Sequence, residues 1–200
     1  SESALGSAYA LNSRENRLTP WSNDPVADPP AEVVYLRDEA TGALWSPTAL
    51  PIRESAPYTI RHGQGYTVFE HNSHAIEQEL LVWVPVDGAG GVPVRLQRLR
   101  LRNRSSRRRR LSVTAFAAWV LGANRADTQQ HVVTTWDGQA QALFARNDYH
   151  PDSGGRVAFA GASVPVSSFT ADRTEFLGRN GSADRPAAML AQSLSGRTGA

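Results

Sequence analysis

The sequence predicts an all-β fold, a large antiparallel sandwich, on three observations. Short runs rich in Val, Ile, Tyr, Phe and Thr recur along most of the chain. Several alternate apolar with polar residues at a period of two, as a strand with one buried face does. Turn-forming Gly, Asp, Asn and Pro separate the runs at short spacing, which favours a sandwich over an α/β arrangement. A chain of 200 residues is within reach of one core, so the expected organisation is a single β-sandwich domain over residues 1–200 with an extended lead-in over 1–30.

Residues 1–30 are rich in Ser, Asn, Asp and Pro, so no regular element is expected there. The first strand is Val33-Val34-Tyr35-Leu36-Arg37. Asp38 to Gly42 makes its turn, and Ala43-Leu44-Trp45 the return, ended by Pro47 and Pro51. Tyr58 to Arg61 and Tyr66 to Glu70 form a second hairpin through His62-Gly63-Gln64-Gly65, where glycine supplies a positive φ. Ile76, Gln78, Leu80, Val82 and Val84 share one parity and line one face of a long strand.

After a Gly-rich turn at 87–91, the apolar positions between Val92 and Arg102 change parity near Gln97-Arg98, which predicts a β-bulge or a passage from one sheet to the other. From Leu111 to Leu121 both parities are apolar, predicting a central strand buried on both faces, within a sandwich or under another domain. Shorter strands are expected at 131–136, 140–145, 156–160 and 164–169, with turns such as Asp137-Gly138 and Ser153-Gly154-Gly155 between them. Only residues 186–194 read as briefly helical.

Composition excludes several classes. Cysteine is absent, which removes disulfides, thiolate nucleophiles and cysteine metal sites. All 21 cationic residues are Arg against 19 acidic ones, a net charge of only +2, and the Arg-only usage fits a GC-rich coding bias. No apolar run approaches the roughly 18 residues that span a bilayer, and no signal-peptide pattern opens the chain, so the segment reads as soluble. It begins at Ser1 rather than Met and closes on the Gly-containing stretch 194–200, as expected of a segment cut from a larger protein.

Several constellations invite a chemical reading. Arg104 and Arg107-Arg108-Arg109-Arg110 look like a phosphate patch. They follow a predicted hairpin tip at Asn103-Arg104-Ser105-Ser106, however, and strand alternation splits them between faces; a solvated loop or a domain interface is the reading adopted, with no nucleic-acid partner. Glu70, His71, His74 and Glu77 include metal-ligand types, but alternation sets two against two unless a loop at Asn72-Ser73 gathers them, so no metal and no cofactor is expected. Asp24, Asp28, Asp38, Glu39, Glu54, Asp137 and Asp172 could serve glycoside chemistry, yet nearly all adjoin turn residues, which explains most of them. A nucleophile elbow, a P-loop and a dinucleotide fingerprint are all missing.

The lead-in from Asn12 to Pro25, with Arg14-Glu15-Asn16-Arg17-Leu18-Thr19-Pro20-Trp21-Ser22-Asn23-Asp24 at its centre, is too polar and particular for a generic loop. Together with Tyr35-Leu36-Arg37-Asp38, Trp45-Ser46-Pro47-Thr48 and Arg61-His62-Gly63-Gln64-Gly65-Tyr66, it resembles the inverting disaccharide and oligosaccharide phosphorylases of glycoside hydrolase family ninety-four, formerly glycosyltransferase family thirty-six. Leu99 to Asn103, Trp119 to Gly122 and Glu175 to Ser182 extend the likeness to nearly the whole chain, most closely to the phosphorylase-like C-terminal region of cyclic β-1,2-glucan synthases.

The resemblance implies an N-terminal antiparallel super-sandwich, similar to galactose mutarotase-like domains, followed by a helical linker and an (α/α)6 barrel. It also implies that the general-acid Asp and the phosphate-binding residues lie in that barrel, leaving no catalytic residue in this chain. The expected partners are then the barrel of the same parent chain and β-glucan, with no membrane contact by this segment. The parent is expected to be bacterial, at the cytoplasmic face of the inner membrane if it is a cyclic glucan synthase. Arg14, Glu15, Asn16, Arg17, Trp21, Asn23 and Asp24 are the candidate contact residues, Trp21 stacking on a sugar and the polar side chains hydrogen bonding, or all of them bracing an interdomain interface. The competing class is an autonomous carbohydrate-binding module, which exposed aromatics on one sheet face would distinguish.

Overall fold

The computed structural model describes residues 3–22, 24, 26, 29–85, 93–149 and 155–199. Asn23, Asp28 and the turns expected at 87–91 and at 153–154 lie outside them. The chain forms two compact units, each from two stretches: Ser1–Leu5 with Val33–Phe116 as unit 1, and Gly6–Glu32 with Ala117–Ala200 as unit 2. Strands in antiparallel ladders make up most of the regular structure, so the all-β prediction holds.

Unit 1 packs two sheets. The strands β1 (Glu32–Asp38), β2 (Leu44–Trp45) and β7 (Leu111–Ala117) form one, in the order β2-β1-β7. The other is a meander of β3 (Tyr58–Gly63), β4 (Tyr66–Ser73), β5 (Ile76–Trp83) and β6 (Leu96–Asn103). Val34 packs with Leu5, Phe69 and Leu80, and Leu36 with Trp45 and Ile76, so the period-two faces of β1, β4 and β5 meet. Each such buried side chain contributes about 1.5–3 kcal/mol. In the β3–β4 hairpin Gln64 and Gly65 form the turn, and the Tyr66 ring lies so close over Gly63 that no side chain fits there.

Four expectations change in this unit. The β5–β6 ladder runs unbroken from Ile76↔Asn103 to Trp83↔Leu96, so there is no bulge at Gln97-Arg98. The parity change instead marks where the strand begins, with Leu99 and Leu101 turned to the core and Leu96 at its outer end. The passage between sheets comes later, over 104–110, where a hairpin tip was expected. There the Asn103 side chain accepts the Ser105 N–H and donates to the Arg107 carbonyl, shaping the turn. Next, β7 stops at Ala117 and occupies a sheet edge among the described residues, with Val113 54% exposed; the strand buried on both faces is β1. Finally, β4 continues through Ser73, and the turn falls on His74 and Ala75, both with positive φ (52° and 57°).

The Arg run is also not a uniformly solvated loop. Arg109 is largely buried, donating Nε to Asp38 Oδ2 (2.8 Å) and Nη1 to the His74 carbonyl (2.7 Å), and it forms an ion pair with the same carboxylate. Asp38 is fully buried and also accepts the Ala40 and Thr41 N–H groups of the β1–β2 turn. Those backbone donors, the Ala40 N–H first, and then Arg109 hold its carboxyl below the usual range against the opposing effect of burial.

Unit 2 contains the sheet β10-β9-β8, from β8 (Val133–Asp137), β9 (Ala142–Arg146) and β10 (Ala158–Gly161). Residues 164–169, expected as a strand, join no ladder; the Val166 N–H bonds to Gln141 Oε1, and the Phe169 carbonyl accepts the Gly196 N–H. Two short helices escape the periodicity analysis, α1 (Arg125–Thr128) and α2 (Arg173–Leu177), each too brief to show a 3.6-residue pattern. They are set by their caps: Asn124 accepts the Asp127 N–H, and Asp172 accepts the Thr174 and Glu175 N–H groups. The helical turn expected at 186–194 is a 3-10 turn, Ala187–Leu190.

Candidate functional site

Within unit 2 the lead-in is an ordered loop rather than loose chain. Asn12 starts it: its Oδ1 accepts the N–H groups of Arg14 (3.0 Å) and Glu15 (2.8 Å), while its Nδ2 donates to Asn16 Oδ1 (3.0 Å). The stretch after it lies between two other segments, because Arg17 bridges to Tyr9 on one side and to Gly122 on the other. The Leu18 N–H reaches the Ala8 carbonyl, and the Val120 N–H reaches the Leu18 carbonyl. Beneath this, the buried hydroxyl of Thr19 accepts the Ala8 N–H (2.8 Å) and donates to Glu32 Oε1 (3.0 Å).

The seven candidate residues divide in this frame. Asn16 is buried and bonded to Asn12, so its side chain serves the loop itself. Arg17 is anchored too, its Nε donating to the Ser13 carbonyl (2.7 Å) and its Nη1 to the Ala123 carbonyl (3.0 Å). Its guanidinium lies 5.7 Å from the Trp21 ring centroid, within cation–π range. Trp21 nevertheless stays 57% exposed. Arg14 and Glu15 project into solvent at the Asn12 turn. Asp24 accepts the Val26 N–H and shapes the chain that follows, and Asn23 is outside the described residues. Tyr9, which sequence reasoning passed over, is exposed and sits opposite Arg17; its only signal would have been an aromatic within a polar segment.

The other candidate cluster disperses. Glu70 pairs with Arg61, and Glu77 with Arg104. His74 stacks on Trp45 and lies 3.4 Å from Glu54, while His71 is buried against Tyr58, ring to ring at 3.8 Å. Among the described residues no three His, Asp or Glu side chains are gathered as metal ligands would be. A second exposed feature of unit 2 is the outer face of β8-β9-β10, where Thr135, Phe144 and Phe159 align in register and a groove of about 250 Å³ lies along Val133, Phe144, Arg146 and Val157. Phe144 and Phe159 pack at a tilt with centroids 6.4 Å apart.

Residues 1–200 match the family description "Glycosyl hydrolase 94, supersandwich domain". The chain belongs to that family. A relative is the cyclic beta-(1,2)-glucan synthase NdvB of Rhizobium meliloti (strain 1021), 42% identical over 191 residues, which is 94% of this chain and 7% of the relative. The N,N'-diacetylchitobiose phosphorylase of Vibrio proteolyticus is 27% identical over 139 residues, 68% of this chain and 17% of that protein. The solabiose phosphorylase of Paenibacillus borealis is 27% identical over 162 residues, 78% of this chain and 20% of that protein. This supersandwich chain thus spans less than a quarter of the length of each of these curated relatives.

The sequence segments that carried the resemblance occupy structurally demanding positions in this supersandwich chain. In Glu175 to Ser182, a Cβ at Gly181 would overlap the Leu177 carbonyl, and Gly178 ends α2 at φ 94°. Among the described residues no helix is long and apolar enough to cross a membrane.

Proposed function

We propose that this supersandwich domain is a noncatalytic part of a β-1,2-glucan-processing enzyme, a cyclic glucan synthase or a related inverting phosphorylase, and that it supports a catalytic helical barrel in the same parent chain. The observation that carries the reading is the family match over all 200 residues, joined by the 42% identity to a glucan synthase. Inverting phosphorolysis needs an acid on the glycosidic oxygen while phosphate attacks the anomeric carbon; this chain leaves that chemistry to the barrel. The two units act as one sandwich domain, which the single family match supports. The Rhizobium meliloti relative supports a bacterial parent; if that parent is a cyclic glucan synthase, it sits at the cytoplasmic face of the inner membrane.

In this reading the ordered loop from Arg14 to Asp24 faces the barrel or the glucan cleft. Arg17 and Asn16 hold it in shape, while Trp21, Arg14 and Glu15 present the contact surface. Incubating the chain with β-1,2-glucan and phosphate should release no sugar phosphate; robust release would overturn the noncatalytic assignment. The exposed Phe159, packed at a tilt on the half-buried Phe144, favours a second reading, an autonomous carbohydrate-binding module. Calorimetric titration with β-1,2-glucooligosaccharides separates the two. Binding by the isolated chain that Phe159→Ala abolishes supports the module, whereas silence supports the scaffold.

A further inference from the structure

Three buried side-chain atoms of unit 1 have no hydrogen-bond partner among the described residues: Trp45 Nε1, His71 Nε2 and Gln78 Oε1. Unpaired buried polar groups are costly, and native proteins rarely leave them so. What each atom can do is set by the rest of its side chain. His71 Nδ1 lies 3.1 Å from the Pro57 carbonyl; a carbonyl only accepts, so the proton is on Nδ1 and Nε2 is a bare lone pair. Gln78 donates Nε2 to Ser73 Oγ (3.0 Å), which makes its Oε1 the remaining acceptor. The indole N–H of Trp45 can only donate.

The three share one face of the interior. His71 and Gln78 are direct partners across the β4–β5 ladder, so their side chains leave the sheet on the same side, yet they do not bond to each other. Ile76, two residues from Gln78 on that face, packs against Trp45, whose ring also stacks on His74 at the turn between the same two strands. Two acceptors and one donor are the complement of a single water molecule, which donates twice and accepts.

We propose that one water molecule is built into the interior of unit 1, donating to His71 Nε2 and Gln78 Oε1 and accepting the Trp45 indole N–H. It ties β2, in one sheet, to β4 and β5 in the other. Burial holds the His71 imidazole below its ordinary pKa and so preserves the acceptor the water needs.

Nitrogen-15 NMR of the chain tests this. The expected result is the Nδ1–H tautomer at His71, together with a cross-peak from the Trp45 indole proton to water carrying the sign of a long-lived bound molecule. An Nε2–H tautomer, or an indole proton with no contact to water, overturns the proposal. Gln78→Leu removes one acceptor and should abolish the cross-peak; its persistence in a folded variant counts against the site. The wild-type spectrum decides alone if that variant does not fold.

Discussion

The two units are held together by different means. Unit 1 rests on long regular ladders, eight consecutive pairs in β4–β5 and eight in β5–β6, with alternate residues turned to a shared core. Among the described residues unit 2 has one small sheet, and polar side chains on backbone groups close much of the rest. Asn147 Nδ2 donates to the Leu121 carbonyl, Gln141 Oε1 takes the Val166 N–H, and Glu175 Oε1 takes the Ser195 N–H. A ladder tolerates single substitutions because many similar bonds share the load, whereas a lone side chain bridging 26 positions has no deputy. Unit 1 has polar ties of this kind as well, among them Arg109 on Asp38 and the His74 carbonyl, which joins turns rather than strands.

That contrast orders the expected effects. Arg109→Ala strands a fully buried carboxylate and should lower Tm by roughly ten degrees, read by calorimetry; a change of a degree or two would mean the carboxylate finds other partners. Asn147→Ala leaves the Leu121 carbonyl unpaired and should cost about 1–3 kcal/mol in denaturant unfolding, which would place the weak points of unit 2 in its loops. Acid acts on both units. The folded pKa of His71 lies below the ordinary 6.5, so its contribution is complete above pH 6.5 and is lost as pH falls from there through the folded value. Tyr58, stacked on it, and the charges of Glu54 and His74 face the same imidazole, and His71→Phe should remove this limb of the stability profile. Asp38, Asp172 and Glu175, all with lowered pKa values, add a second loss as pH falls below their ordinary values of 3.8 to 4.5.

Smaller effects refine the picture. Ala75→Gly should stabilise unit 1 by up to about 1 kcal/mol, since glycine accepts the left-handed φ of 57° that alanine resists. Arg197→Ala removes an exposed ion pair to Asp172 and should cost no more than about 0.5 kcal/mol. A larger loss would show that the 195–199 segment is a structural part of unit 2 rather than a surface strap.

Legibility follows the same division. The strands β3, β4 and β5 could be read from alternation because each residue's environment repeats that of the residue two places away, whereas β1, buried on both faces, showed itself as a run of strand-forming residues closed by a turn. The misreading of β7 has a physical root: apolar residues on both parities report apolar surface, not what covers it, and Val113 stays exposed in this chain. The His74-Ala75 turn was invisible because neither residue favours a positive φ, and the conformation is secured from afar by Trp45 and Arg109. In the candidate loop, unusual polarity marked Arg14 to Asp24 as special. Which of those residues face inward could not be told, since the Ala123 carbonyl that anchors Arg17 is 106 positions away.

The interleaving of the two units has a consequence for synthesis. Once residue 116 has emerged, unit 1 has all its strands, while residues 6–32 still await the segment 117–123 that flanks Arg17 and Leu18. The nascent chain must therefore hold a looped-out, polar stretch of 27 residues until translation supplies its mate. A stretch so rich in Asn, Ser, Asp and Pro has low propensity to add to an open strand edge while it waits.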